Sequence, residues 1–193
     1  MKQLSTEITE LLNKQSTIAF LNAARQFVKL LENDDLNQET FYKESHKALS
    51  ELYRTALELE TVDLIHSGTE NEFDEIDKDE LRKMNRNLIS NLGKDCFYWE
   101  VFDPTYTEEN GKPGEGWKIT DREPTQGWLV DDFAGIYADL KEELTKIDQI
   151  HTDESIENAL WQLKFGFNHH WGNHCINAMR ALHYLWYDGK AAM

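Results

Sequence analysis

The residues best suited to chemistry lie in two stretches of the C-terminal half, WLVDDFAGIYADLKEELTKID from Trp128 and SIENALWQLKFGFNHHWGNHCINAMRALHYLWY from Ser155. In the second, His170 and His174 stand four residues apart, so a helix presents two imidazoles on one side. Helical metal sites use that spacing, and imidazole suits zinc, iron, copper or nickel. In the first, Asp132, Asp139 and Glu143 return to nearly one helical direction through steps of seven and four. Like charges stacked in this way repel one another, so the stripe calls for a compensating cation, arginine, metal or water.

Two readings of these residues stay open. One is a mixed centre in which Asp132, Asp139, His170 and His174 hold a divalent transition metal. The other is a partly buried polar cluster of Asp131, Asp132, Asp139, His170, His174 and Arg180, with carboxylates orienting the histidines and pairing with the arginine. The second leads, because the patterns of known metal enzymes are missing. A zincin needs HExxH, and the row reads His170-Trp171-Gly172-Asn173-His174. A di-metal bundle needs Glu-x-x-His, and Phe167 and Trp171 occupy those places. The expectation is therefore no cofactor, with a divalent transition metal as the alternative.

Other chemistry finds little support. There is no GxSxG motif, and adjacency of His174 and Cys175 does not make a pair, since neighbouring helical residues point about 100° apart. Gly111, Gly114 and Gly116 follow no phosphate-loop pattern. His169 and His183 read as surface or hydrogen-bonded histidines. Trp161, Trp186 and Tyr187 read as covering helix contacts or an interface.

The elements that must position these residues are helical. Phe20, Leu21, Ala24, Phe27, Val28 and Leu31 predict a helix over about 16–32, capped by Ser16 or Thr17 after a turn or helical extension. Phe41, Tyr42, Leu49, Leu52, Tyr53, Ala56 and Leu59 predict a second over about 38–65, closed at Ser67-Gly68. The acidic run Thr69–Asp79 reads as a solvated linker, and Leu81, Met84, Leu88 and Leu92 give a third helix over 78–92. Phe97 to Phe102 is strand-like, and the insert 95–127 contains all three prolines. Glu109-Asn110-Gly111 with Trp117 to Thr120 beyond permits a small hairpin or ordered flap, and a mobile loop is the equal alternative. Leu129, Phe133, Ile136, Tyr137, Leu140, Leu144 and Ile147 predict a fourth helix over about 128–148. A final helix over 153–187, capped by Thr152 or Asp153, carries Leu160, Leu163, Phe167, Trp171, Ala178, Leu182 and Leu185, and a frayed tail follows it. The fold class is all-α: one domain over 1–193, a bundle of about five antiparallel helices with the fourth and fifth packed together.

With 193 residues and 40% hydrophobic content, the chain can bury a proper core. A formal net charge of -16 argues against nucleic acid and against an anionic membrane surface as partners. Two cysteines, Cys96 and Cys175, form no disulfide framework, and MKQLSTEITELLNKQ has no apolar core of a signal peptide. The expected location is cytoplasmic.

The run Gly127-Trp128-Leu129-Val130-Asp131-Asp132-Phe133-Ala134-Gly135-Ile136-Tyr137-Ala138-Asp139-Leu140-Lys141 precedes Ala159-Leu160-Trp161. After these come His170-Trp171-Gly172-Asn173-His174 and Ala178-Met179-Arg180-Ala181-Leu182-His183. Together with Tyr98-Trp99-Glu100-Val101-Phe102-Asp103-Pro104, this pattern resembles an uncharacterised bacterial family, domain-of-unknown-function family 5063, of Bacteroides-type bacteria. The resemblance covers residues 95–187; Gly135 departs from a more usual acidic residue. It implies a similar helical fold and a bacterial protein, and marks Asp131, Asp132, Asp139, His170, His174, Arg180 and His183 as motif positions without roles. The leading functional expectation is a non-enzymatic cytoplasmic binding or protein-interaction domain, with a protein partner or a homo-oligomeric face. The alternative is a metal-dependent hydrolase-like enzyme with its Asp/His site between the last two helices. Both require His170, His174 and Arg180 to face the Asp132/Asp139 stripe.

Overall fold

Phe20, Leu21, Ala24, Phe27, Val28 and Leu31 recur at helical spacing, and in the computed structural model all six are buried on one side of a helix. The structure describes residues 4–66, 78–101 and 123–187. Its elements are α1 (Thr6–Asn13), α2 (Gln15–Leu31), α3 (Gln38–Glu58), α4 (Lys78–Leu92), β1 (Phe97–Glu100), β2 (Thr125–Trp128), α5 (Leu129–Thr145), α6 (Asp153–His169) and α7 (Trp171–Tyr187). A 3₁₀ turn, Gly93–Cys96, leads into β1, and a π-type turn, Lys146–Ile150, extends α5.

α5 is the central element, packing on α2, α4, α6 and α7, while α7 also lies along α3. Aromatic side chains join these helices. Phe133 of α5 meets Phe27 at 6.1 Å and Phe41 at 5.7 Å between ring centroids, and Trp171 meets Phe20 at 6.0 Å. Each such fully buried ring contributes roughly 2–3 kcal/mol through removal from water. The apolar face predicted for α5 is buried without exception.

Helix starts follow side-chain capping where the sequence supplies it. Ser5 accepts from the Ile8 amide, Asn37 from the Thr40 amide, and Thr152 forms a reciprocal capping box with Ser155. Asp153, the other residue suited to cap α6, instead accepts from the backbone amide of Ser5 at 3.0 Å and ties the start of α1 to the start of α6.

Three expectations need correction. The helix expected over about 16–32 stands as α2, with α1 as the helical extension before it, but α2 is entered through Lys14 without a side-chain cap from Ser16 or Thr17. α3 ends at Glu58, not near residue 65, because Leu59 is extended. Beyond it, the buried carboxylate of Glu157 accepts from the Ile65 and His66 amides at 2.8 and 2.7 Å, giving that backbone partners outside a helix. The final helix is broken at His170, whose φ of -142° and ψ of -89° lie outside the helical region. There the chain folds tightly on itself: a Cβ on Gly172 would sit 2.1 Å from the Phe167 carbonyl oxygen. Trp171 covers Gly166 and donates its indole N–H to the Leu163 carbonyl at 3.2 Å. The described residues thus hold seven α-helices rather than five, in the same all-α class.

At the insert, the expected strand-like run from Phe97 and small hairpin are borne out. β1 pairs antiparallel with β2, with Phe97 opposite Trp128 and Tyr98 opposite Gly127. The turn suggested at 109–111 and the run 117–120 lie outside the described residues, as do 69–77 of the acidic stretch, the cap at 67–68 and the tail. Gly127 is required by this pairing, since a Cβ there would fall 2.4 Å from the Tyr98 ring. Among the described residues, no helix is long and apolar enough to cross a membrane.

Candidate functional site

The seam between α5 and α7 collects the polar residues that the core cannot absorb alone. Asp132 and Asp139 project from α5 toward the start of α7, where His170 and His174 meet them. His174 Nδ1 lies 2.8 Å from Asp132 Oδ1, and His170 Nδ1 lies 2.7 Å from Asp139 Oδ2. A carboxylate only accepts, so each Nδ1 carries the proton and, in the neutral ring, Nε2 carries none. The two rings stand 5.0 Å apart at 85°.

Burial differs along the seam. Asp132 is buried and His174 half-buried, whereas His170 is exposed. The Asp132 hydrogen bond raises the His174 imidazole above its ordinary pKa, against burial, with the charges of Asp132, Asp131 and Asp139 assisting. Asp131 itself is exposed and acts through its charge. The predicted role of Arg180 is not what the structure contains. Arg180 is exposed and makes no hydrogen bond or ion pair to Asp132 or Asp139; its charge acts on Glu100.

Three members of the cluster carry no mark in the helical motifs. Tyr98 donates its hydroxyl to Asp132 Oδ2 at 2.7 Å, so one buried carboxylate holds both β1 and α7. Burial and this bond to a carboxylate raise the phenol's pKa. Glu100 accepts from the Asn177 amide at 2.7 Å; burial, then the Asp132 charge, pushes its carboxyl above the ordinary range. The signal for Tyr98 and Glu100 was strand alternation: in Phe97-Tyr98-Trp99-Glu100, the two polar side chains turn inward and the two rings turn outward.

Glu143, expected on the same stripe, sits deeper. It is buried, one oxygen accepts from Lys146 Nζ at 2.8 Å, and the other has no hydrogen-bond partner among the described residues. His183 joins neither pair; it lies near His46 and Tyr187 on the α3/α7 side. Cys175 is buried, and burial raises its thiol pKa, which suits packing rather than nucleophilic attack.

The two carboxylates thus serve two separate imidazole N–H groups. Among the described residues, no group of three or more His, Cys, Asp or Glu side chains is arranged to hold a metal ion. The arrangement holds imidazoles at fixed angles, keeps Nε2 available as an acceptor, and fastens the strand pair to the bundle.

The chain is similar over 91% of its length to 94% of protein BF1032 from Bacteroides fragilis, a solved structure, at 23% identity and a TM-score of 0.71; this likeness is one of fold. No curated protein matches. Residues 12–188 match the model of the domain of unknown function DUF5063, a span that begins far upstream of the 95–187 motifs. The chain belongs to the DUF5063 family.

Proposed function

We propose that the chain is a non-enzymatic binding domain that docks a cationic protein segment on the outer face of its strand pair. The observation that carries this reading is the alternation of β1. Tyr98 and Glu100 anchor the strand in the bundle, which leaves Phe97, Trp99 and Val101 outward at 54%, 66% and 40% exposure. Trp128 of β2, 40% exposed, stacks on Phe97 at 6.3 Å and 17° and extends the same face. Aromatic rings held by a rigid support supply contact area with little ordering cost.

Charge selects the occupant. Exposed Glu123 leads into β2, and exposed Asp131 follows Trp128 by one helical turn. Rings beside carboxylates suit lysine and arginine side chains through cation–π and ion-pair contacts. With a net charge of -16, two copies of this chain repel each other, which favours a basic partner over a second copy. Two buried free thiols and the absence, among the described residues, of a membrane-spanning helix support a cytoplasmic setting for the encounter.

The test is titration of tag-free protein with a Lys/Arg-rich peptide and with its Glu-substituted counterpart, followed by tryptophan fluorescence. The basic peptide is expected to bind, to weaken as salt rises, and to lose at least tenfold in affinity against Trp99→Ala. Equal binding of both peptides, or indifference to Trp99→Ala, would overturn the reading, and so would light scattering that shows a salt-independent dimer lost in Trp99→Ala.

A further inference from the structure

We propose that His170 and His174 form a two-imidazole site for a divalent transition metal ion of the zinc, nickel or copper type, seated over Gly135. In this arrangement Asp139 and Asp132 are outer partners that hold the rings, and they are not ligands.

The geometry begins with α5. Asp132 and Asp139 lie seven residues apart, about 10 Å along the helix axis, and Gly135 stands between them. Each imidazole is fastened at Nδ1 to one of these carboxylates, His174 toward the helix start and His170 toward its end. With Nδ1 of each ring so held, both rings border Gly135. From the position a Cβ would occupy on Gly135, His174 Cδ2 and Nε2 lie at 3.2 and 3.3 Å, and His170 Cε1 at 3.8 Å. Glycine therefore leaves a notch bordered by two imidazole edges.

Three properties suit this notch to a metal. Metal-bound histidines characteristically donate the other ring N–H to a carboxylate, and both histidines do so here. Two imidazoles bound at about 2.1 Å to one tetrahedral ion hold their ring centroids about 5 Å apart, and the observed separation is 5.0 Å. The nearby carboxylates Asp131, Asp132, Asp139 and Glu100 favour a cation electrostatically. Nitrogen donors select borderline transition metals over magnesium or calcium. With two protein ligands, the other coordination positions are taken by water.

The experiment is calorimetric titration of the tag-free full chain with Zn²⁺, Ni²⁺ and Cu²⁺, and with Mg²⁺ and Ca²⁺ for contrast. One ion of at least one of the first three is expected to bind per chain, and neither of the last two. His170 is exposed, so His170→Ala leaves the bundle intact and is expected to weaken binding at least tenfold. Asp139→Asn, which keeps both imidazoles, is expected to weaken it by about 10- to 100-fold. The pair His46 and His183, 6.1 Å apart on α3 and α7, serves as a comparison, and its double alanine variant is expected to bind as wild type does. No binding of the three transition metals, unchanged affinity in His170→Ala, or loss of the site in the His46/His183 variant would each overturn the proposal.

Discussion

Burial pushes the Glu143 carboxyl up to about 7 from an ordinary 4.5, against the hydrogen bond and charge of Lys146. Its second oxygen is buried without a hydrogen-bond partner among the described residues, and protonation removes the charge that makes this costly. The folded pKa lies above the unfolded one, so this group's stabilisation is full below pH 4.5 and is lost as pH rises through about 7. The loss amounts to about 3 kcal/mol at most. His174 has the same sign, with its contribution lost as pH rises through a folded value above the ordinary histidine range. Glu143→Gln is expected to flatten the decline between pH 4.5 and 7 in urea unfolding; an unchanged slope would refute the assignment. At this scale the sequence was informative for spacing and poor for partners. The step of seven between Asp132 and Asp139 and the step of four between His170 and His174 correctly brought these side chains together. Arg180 follows His174 by six residues, far enough around α7 to leave it exposed. The inward Tyr98 and Glu100 come from a distant strand, and no helical spacing could reveal them.

Elements were legible wherever one apolar stripe met one neighbour. The stripes of α2 and α5 are buried as expected, because period 3.6 suffices to specify a helix that packs on one side. The break between α6 and α7 was not legible, since the stretch around His170 contains no proline and its apolar residues continue across the joint. What decides the break is close approach of backbone, a tertiary property carried by Gly172. Gly172→Ala is therefore expected to cost about 3 kcal/mol or more in urea unfolding, because its Cβ would meet a carbonyl oxygen that cannot rotate away. Gly→Ala inside an ordinary helix has the opposite sign. A stabilised Gly172→Ala variant would mean that α6 and α7 run on as one helix.

Over the whole molecule, a charge of -16 on 193 residues sets a repulsive background that local ion pairs offset only in part. Among the described residues, several of those pairs are exposed, such as Arg54 with Glu51 and Lys14 with Glu60, and each contributes little. Screening shortens from about 30 Å at 0.01 M salt to about 8 Å at 0.15 M. The urea midpoint is accordingly expected to rise across that range of sodium chloride; a fall would mean that attractive pairs dominate the surface. The bond between the Ser5 amide and Asp153 also bears on how the molecule is made. α1 is synthesised before α6, yet its fully buried Ile8 and its tie at Ser5 belong to a surface that α6 helps to complete. At about 5–20 residues per second, α1 waits on the order of ten seconds for α6 to be synthesised. Throughout that interval part of its apolar face stays uncovered, so α1 completes its packing only once α6 has been made.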